Sequence, residues 1–146
     1  MKGPRFLRLG AGLAAFAFVC ATTSSCAGPR AAGPVDGGLA PCSWAPNCAC
    51  TQEEGGPAPL VFDGDAADAL ARLLAFLESS DDVRVERVDG WYVHAVFSTP
   101  TLGFRDDVEL LVVPDERVVH VRSASRLGLW DLGANARRIE HIRADW

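Results

Sequence analysis

The sequence predicts an α+β domain: an antiparallel sheet of about four strands with two helices on one face, preceded by a signal segment and a Cys-containing tether. Three observations predict it. Residues Asp65 to Ser79 repeat apolar side chains at helical spacing. Between Val83 and Ser123, four runs rich in branched and aromatic residues are separated by tight-turn signals. A polar loop bearing Gly128 and Gly133 then leads into a second helical stretch. The order helix, four-strand meander, helix places both helices on the same side of an antiparallel sheet. A chain of 146 residues suits one such domain.

Residues 1–26 read as an export signal rather than as part of the fold. Lys2, Arg5 and Arg8 form a positive start, and Ala11 to Ala21 is an apolar run too short to span a bilayer. Thr23-Ser24-Ser25-Cys26 resembles the bacterial lipobox, in which small residues precede a cysteine that is lipidated and becomes the new N-terminus. Thr23 stands where that motif usually has Leu. Acylation at Cys26 would hold the protein to a membrane without a transmembrane helix, since each buried CH2 contributes about 0.8 kcal/mol. The alternative is ordinary cleavage near Ala21 and a soluble exported protein. Ala27-Gly28 carries no inner-membrane retention aspartate, so resemblance to bacterial lipoprotein sorting implies the outer membrane, facing the periplasm.

Residues 1–26 hold three basic and no acidic groups, so the rest of the chain carries 11 basic (14 less 3) against 19 acidic ones, a formal charge of −8. That balance disfavours nucleic acid as a partner and disfavours charge-driven binding to anionic lipid.

Residues 27–59 shift to Gly, Pro, Ala and Ser and read as a tether. Within it lies PCSWAPNCACTQ. In an oxidising compartment Cys42 and Cys48 are expected to form a disulfide over Trp44, with Cys42–Cys50 as the alternative pairing. Cys48 and Cys50 point opposite ways on extended chain, which disfavours a bridge between them. Cys50 is then left free or linked to a partner. Three thiols could ligate zinc, but their spacing fits no common zinc pattern, so no metal or other cofactor is expected.

Residues 60–146 form the domain. In the first helix Ala66, Leu70, Leu73, Leu74 and Leu77 make one apolar stripe, with Asp63 or Asp65 as cap and Asp68 in the first turn. Val83 to Val88 and Trp91 to Thr99 are strands joined at Asp89-Gly90. Phe104 to Val113 and Val118 to Ser123 follow, joined by a tight turn over Pro114 to Arg117. That turn sets a register: Val112 faces Val119, Leu110 faces Val121 and Val108 faces Ser123 on one side. On the other side Glu109 faces Arg122 and Leu111 faces His120, while Asp106 comes level with Ser125.

The densest polar stretch is Val118 to Arg143. Arg122, Ser123, Ser125, Arg126, Asp131, Asn135 and Arg138 lie in or beside one loop, and a helix begins near Gly133. A helix N-terminus with arginines nearby can bind a small anion, so these seven residues are the candidate ligand-binding set. The Gly-Lys-Ser/Thr ending of a P-loop is absent. Asp131 and Asn135 also suit capping and loop-closing hydrogen bonds. Ser123 and Ser125 lack a nucleophile elbow or an evident base. On the third strand Asp106 interrupts an apolar face, and Asp107 and Glu109 share the opposite one. Paired carboxylates can do acid–base work or bind a cation. With three arginines at hand, the plainer expectation is a charge network that fixes the loop. His94 and His120 read as packed or surface strand histidines, and His141 as solvated.

RSASRLGLWDLGANARRIE, preceded by GFRDDVELLV and far upstream by PCSWAPNC, resembles the bacterial and plastid family called domain of unknown function 1499. The resemblance runs from Pro41 to Ile142. Ala136 stands where the family often has a basic residue, and Ala49-Cys50-Thr51 replaces a usual Val-Ser-Ser. The resemblance implies motif positions and a fold, and no activity. Two function classes follow from the residues. The first is a non-enzymatic envelope lipoprotein that binds an envelope protein or a small anionic ligand through the Arg/Ser/Asp loop. The second is an enzyme using Asp106, Asp107 or Glu109 with Arg122 and Arg126. A purely structural motif is the third and plainest reading.

Overall fold

A computed structural model describes residues 31–146, so the signal segment and Cys26 lie outside the described residues. The described chain opens with two short strands, β1 (Pro34–Val35) and β2 (Gly38–Leu39), paired with each other. β3 (Cys48–Cys50) and β4 (Leu60–Val61) follow, then α1 (Ala66–Glu78). The meander is β5 (Val83–Asp89), β6 (Tyr92–Ser98), β7 (Arg105–Val113) and β8 (Val118–Ser125), and α2 (Ala134–Asp145) closes the chain.

The fold is α+β with two helices and antiparallel sheets, but the main sheet has six strands rather than about four. Its order is β3–β8–β7–β6–β5, with β4 also paired to β8. The two additional strands have one physical reason. A four-strand meander would leave the long edge of β8 unpaired, exposing a row of backbone donors and acceptors. Leu60 and Val61 pair with Val119 and Val118, while Cys48 to Cys50 pair with Ala124 to Arg122. Thr51 extends the ladder, its N–H donating to Val121 O at 2.9 Å and its Oγ1 accepting from Val121 N at 2.9 Å. The Cys48–Cys50 stretch, expected within a tether, is thus a strand of the sheet, paired along the edge of β8. The turn that follows it needs Gly56, since a Cβ there would sit 2.1 Å from Cys50 O.

The β7–β8 register is the one the Pro114–Arg117 turn implies, with Glu109 opposite Arg122, Val108 opposite Ser123 and Asp106 opposite Ser125. Alternation then sorts the sheet into two faces. Val93, Ala95, Val108, Leu110, Val112, Val119 and Val121 meet Ala69, Leu73 and Leu77 of α1 and Ile139 and Ile142 of α2 in the main core. Asp65 caps α1 as expected, accepting from Ala67 N at 2.7 Å. Both helices cover this one face. The opposite face carries a second, smaller core of Leu39, Cys50, Tyr92 and Leu111, with Cys42 packed against it. Residues around Gly33 to Cys42 therefore lie across the face away from the helices. The Cys42–Cys48 disulfide is formed and Cys50 is a free, buried thiol. No described helix is long and apolar enough to cross a membrane.

Candidate functional site

β7 places three carboxylates at Asp106, Asp107 and Glu109, and each takes a different arginine. Strand alternation decides which. Asp106 points to the helix side, where Arg138 reaches it from the second turn of α2. Asp107 and Glu109 point the other way, toward Arg126 and Arg122, which continue the same face of β8. The candidate set is thus split by the sheet. Ser123, Ser125, Asp131, Asn135 and Arg138 gather on the helix side, and Arg122 and Arg126 stand on the far side.

On the helix side Asn135 is the hub, fully buried in the first turn of α2. Its Oδ1 accepts from Ser123 Oγ at 2.6 Å and from Arg138 Nη1 at 2.8 Å. Its Nδ2 faces Asn47 O at 2.8 Å, Ser125 Oγ at 2.9 Å and Asp131 Oδ2 at 2.7 Å. Two hydrogens serve three acceptors, so one is shared. Asn47 returns the link by donating Nδ2 to Gly128 O at 2.6 Å, and its backbone O accepts from Ser125 N. The Pro46-Asn47-Cys48 segment is in this way bolted to the loop after β8. Gly133 enters α2 with φ +77°, the left-handed conformation glycine adopts without strain.

Asp131 accepts from Gly133 N at 2.7 Å and Asn135 N at 2.9 Å. Burial alone would raise its carboxyl, but these backbone N–H groups outweigh that and hold it below the ordinary carboxylate range. The helix N-terminus, where an anion was expected, is therefore already served by the chain's own carboxylate.

On the far side Arg126 grips Asp107 with a two-pronged contact, Nε to Oδ2 at 2.9 Å and Nη2 to Oδ1 at 2.7 Å. His94 Nε2 lies 2.7 Å from Asp107 Oδ1. Burial pushes the Asp107 carboxyl up, and the hydrogen bonds to His94 and Arg126 more than reverse this, bringing it down to about 2. Glu109 is fully buried and accepts from Arg122 Nη1 at 2.7 Å, Tyr92 Oη at 2.8 Å and Gly33 N at 2.9 Å. Burial and then the Glu109 contact push the Tyr92 hydroxyl well above its usual range. His120, whose Nδ1 is 3.1 Å from Thr51 Oγ1, is lowered by burial. His141 is exposed and pairs with Asp145.

Ser123 Oγ donates to an amide oxygen, not to a base. Among the described residues no three His, Cys, Asp or Glu side chains are grouped to hold a metal ion. What the network does is fix the loop between Ser125 and Ala134. The polar groups of the loop turn inward, while Leu127, Leu129, Trp130 and Leu132 remain 55%, 59%, 70% and 65% exposed. Beneath them a cleft of about 330 Å³ opens between the loop and the Thr99–Phe104 turn, bordered by Phe104, Arg105, Trp130 and Leu132. A second cleft, about 450 Å³, lies between the C-terminal end of α1 and α2.

Sequence reasoning missed Asn47, Tyr92, His94, Thr51 and the Gly33 amide as members of these networks. Only Asn47 left a readable trace, within the Pro-Asn-Cys segment; the others act across 13 to 76 residues of chain with no motif. It also missed the exposed apolar row, which is written plainly as LGLWDL.

A family model described as a protein of unknown function, DUF1499, matches residues 38–145. No curated protein and no solved structure matches the chain.

Proposed function

We propose that this chain, which belongs to the DUF1499 family of proteins of unknown function, is a non-enzymatic binding domain whose recognition element is the loop from Arg126 to Gly133. One observation carries the reading: the polar side chains of the loop are spent internally, and its large apolar ones face solvent. A monomeric surface seldom groups several exposed large apolar side chains without a binding role. The Arg/Ser/Asp/Asn residues position the loop, and Leu127, Leu129, Trp130 and Leu132 make the contact. Holding the loop in one shape beforehand lowers the entropy lost on binding.

The enzymatic alternative finds less support, because Asp106, Asp107 and Glu109 are buried and each is ion-paired. A structural role for the motif is compatible with the binding role, since the one makes the other possible. Export and acylation at Cys26 complete the proposal, with the domain held at the outer membrane. In cells, a photoreactive aromatic at position 130 should give discrete crosslinks, and the same group at Asp68 on α1 should not. Equal crosslinking from both positions, or none from 130, would remove the recognition role. Cys26→Ser should release the protein from membranes or block its processing, and wild-type protein wholly in the soluble fraction would remove the anchor.

A further inference from the structure

Three loops converge at one end of the sheet. The loop after β8 is fastened to the Cys42–Cys48 loop, with Asp131 N donating to Pro46 O at 3.2 Å and Asn47 Nδ2 to Gly128 O at 2.6 Å. It also meets the end of the Thr99–Phe104 turn, where Arg126 N donates to Arg105 O at 3.1 Å. Trp44, Leu102 and Phe104 stand exposed on those two neighbours and extend the apolar row of the loop. The other exposed large apolar side chains among the described residues, Val35, Val61, Val88 and Trp91, lie away from these loops. The opposite end of the sheet, at the Asp89-Gly90 and Pro114–Arg117 turns, presents Asp89, Asp115 and Glu116 to solvent.

The chain before the sheet limits how far this domain can stand from an anchor. Gly33 is pinned by its hydrogen bond to the buried Glu109. Seven residues of chain lead from Cys26 to Gly33, and they reach at most about 25 Å. Along β7, Glu109 is four residues from Arg105, where the apolar end begins, a span of about 13 Å. An acyl anchor on Cys26 thus holds the domain close to the bilayer and has the reach to bring either end of the sheet against it. The chemistry of the two ends then decides between them, since only one is apolar.

We propose that these three loops form a membrane-interface surface, whose partner is the lipid bilayer that carries the Cys26 anchor. The proposal rests on the reading of the loop as the contact element and of Cys26 as the acylated residue, and it names the partner. Trp44 and Trp130 sit at head-group depth, where indole rings are favoured, and the leucines enter the acyl boundary beside them. Charge does not drive the contact. Arg105 stands at this end, but Asp81 and Asp82 border it at the β5 edge. Arg126 and Arg138 are ion-paired, and Arg137 is turned to Leu132 O. Burial of apolar side chains is what remains, and a few of them alone bind a bilayer weakly. The anchor makes this second contact intramolecular, so its effective concentration is high and weak insertion suffices.

The test uses the full chain, acylated at Cys26, in phosphatidylcholine vesicles. Leu129→Cys, Leu102→Cys, Asp68→Cys and Asp115→Cys each carry an environment-sensitive fluorophore, while Cys50 is buried and stays unlabelled. Emission from positions 129 and 102 should shift to the blue and be quenched by nitroxides on the acyl chains. Positions 68 and 115 should show neither effect. Leu127→Asp/Trp130→Asp changes exposed side chains only. It should abolish quenching of the label at 102, with an unchanged circular dichroism spectrum. Raised salt should leave the quenching as it is, because the contact is apolar. Vesicle-bound protein with unquenched labels at 129 and 102 would overturn the proposal. So would equal quenching at 68 or 115, quenching at 102 that survives the double variant, or quenching lost in salt. Protein whose mass shows no acyl chains would remove the anchor and the proposal with it. If the labels are unquenched but position 130 crosslinks to a polypeptide in cells, the bilayer fails as partner and the recognition loop stands.

Discussion

Replacing Glu109 by Ala tests whether the far-side network holds the domain together. The Glu109 side chain is fully buried and Arg122 is 3% exposed, so solvent cannot take over the charge left behind. The substitution removes the acceptor for Arg122 Nη1 and strands the Tyr92 hydroxyl and the Gly33 N–H. Arg122 Nε already lacks a partner among the described residues, so the guanidinium has little else to fall back on. Breaking a buried pair by deleting one member typically costs about 3–5 kcal/mol. Water entering the vacated space can serve Tyr92 and Gly33, so their losses do not simply add. Against a usual domain stability of about 5–15 kcal/mol, this is a large fraction. In urea, with a slope of about 1–3 kcal/mol per molar, the midpoint should fall by about 1–5 M. The companion variant Glu109→Leu/Arg122→Leu removes both charges and should recover most of the loss, because well-packed apolar replacements of buried pairs are often neutral or better. A single-variant loss below about 1 kcal/mol would mean that the pair behaves like an exposed one. A double variant as unstable as the single would show that the isolated charge is not the cause.

The remaining predictions concern pH, the Asn135 hub and the cysteines. Asp107 has its folded pKa lowered from 3.8 to about 2, so its contribution is present above about pH 4 and is lost as pH falls through 2; the depression corresponds to about 2 kcal/mol. Asp107→Asn should flatten the stability profile between pH 4 and pH 2, and an unchanged slope would show that another group governs acid unfolding. Asn135→Leu keeps the branched shape but removes the acceptor of Ser123 Oγ and Arg138 Nη1 and the donor to Asn47 O, which should cost about 2–4 kcal/mol in thermal or urea unfolding; wild-type stability would dismiss Asn135 as the hub. Removing the Cys42–Cys48 bridge should cost about 2 kcal/mol, since it closes a short loop of sequence separation 6. Cys50, buried and with its thiol pushed up by burial, should react with a thiol reagent only after unfolding; rapid native-state labelling, or a Cys42–Cys50 bridge found by mass spectrometry, would contradict the assignment.

By itself the sequence determined whatever depends on local periodicity. The α1 stripe follows from spacings of three and four around a helix, and the turn at Pro114–Arg117 leaves one register that buries Val108, Leu110 and Val112 with Val119 and Val121. From that register the Glu109–Arg122 pair follows at once, because a slip of one residue would turn every side chain to the wrong face. The sequence also placed Asp131 and Asn135 at the start of α2. Only the tertiary structure decided which arginine serves Asp106 and which serves Asp107. Arg138 sits on a helix, and which β7 carboxylate it meets depends on where that helix docks on the sheet. Cys48–Cys50 as a sheet strand was likewise illegible. Three residues show no alternation, and their pairing is dictated by the free edge of β8, more than 70 positions away. The Gly33 amide and Asn47 enter their networks from still farther off, 76 and 88 residues from their partners Glu109 and Asn135. Contacts of that kind arise when buried polar groups must be satisfied by whatever chain the fold brings near, and no local pattern announces which chain that is.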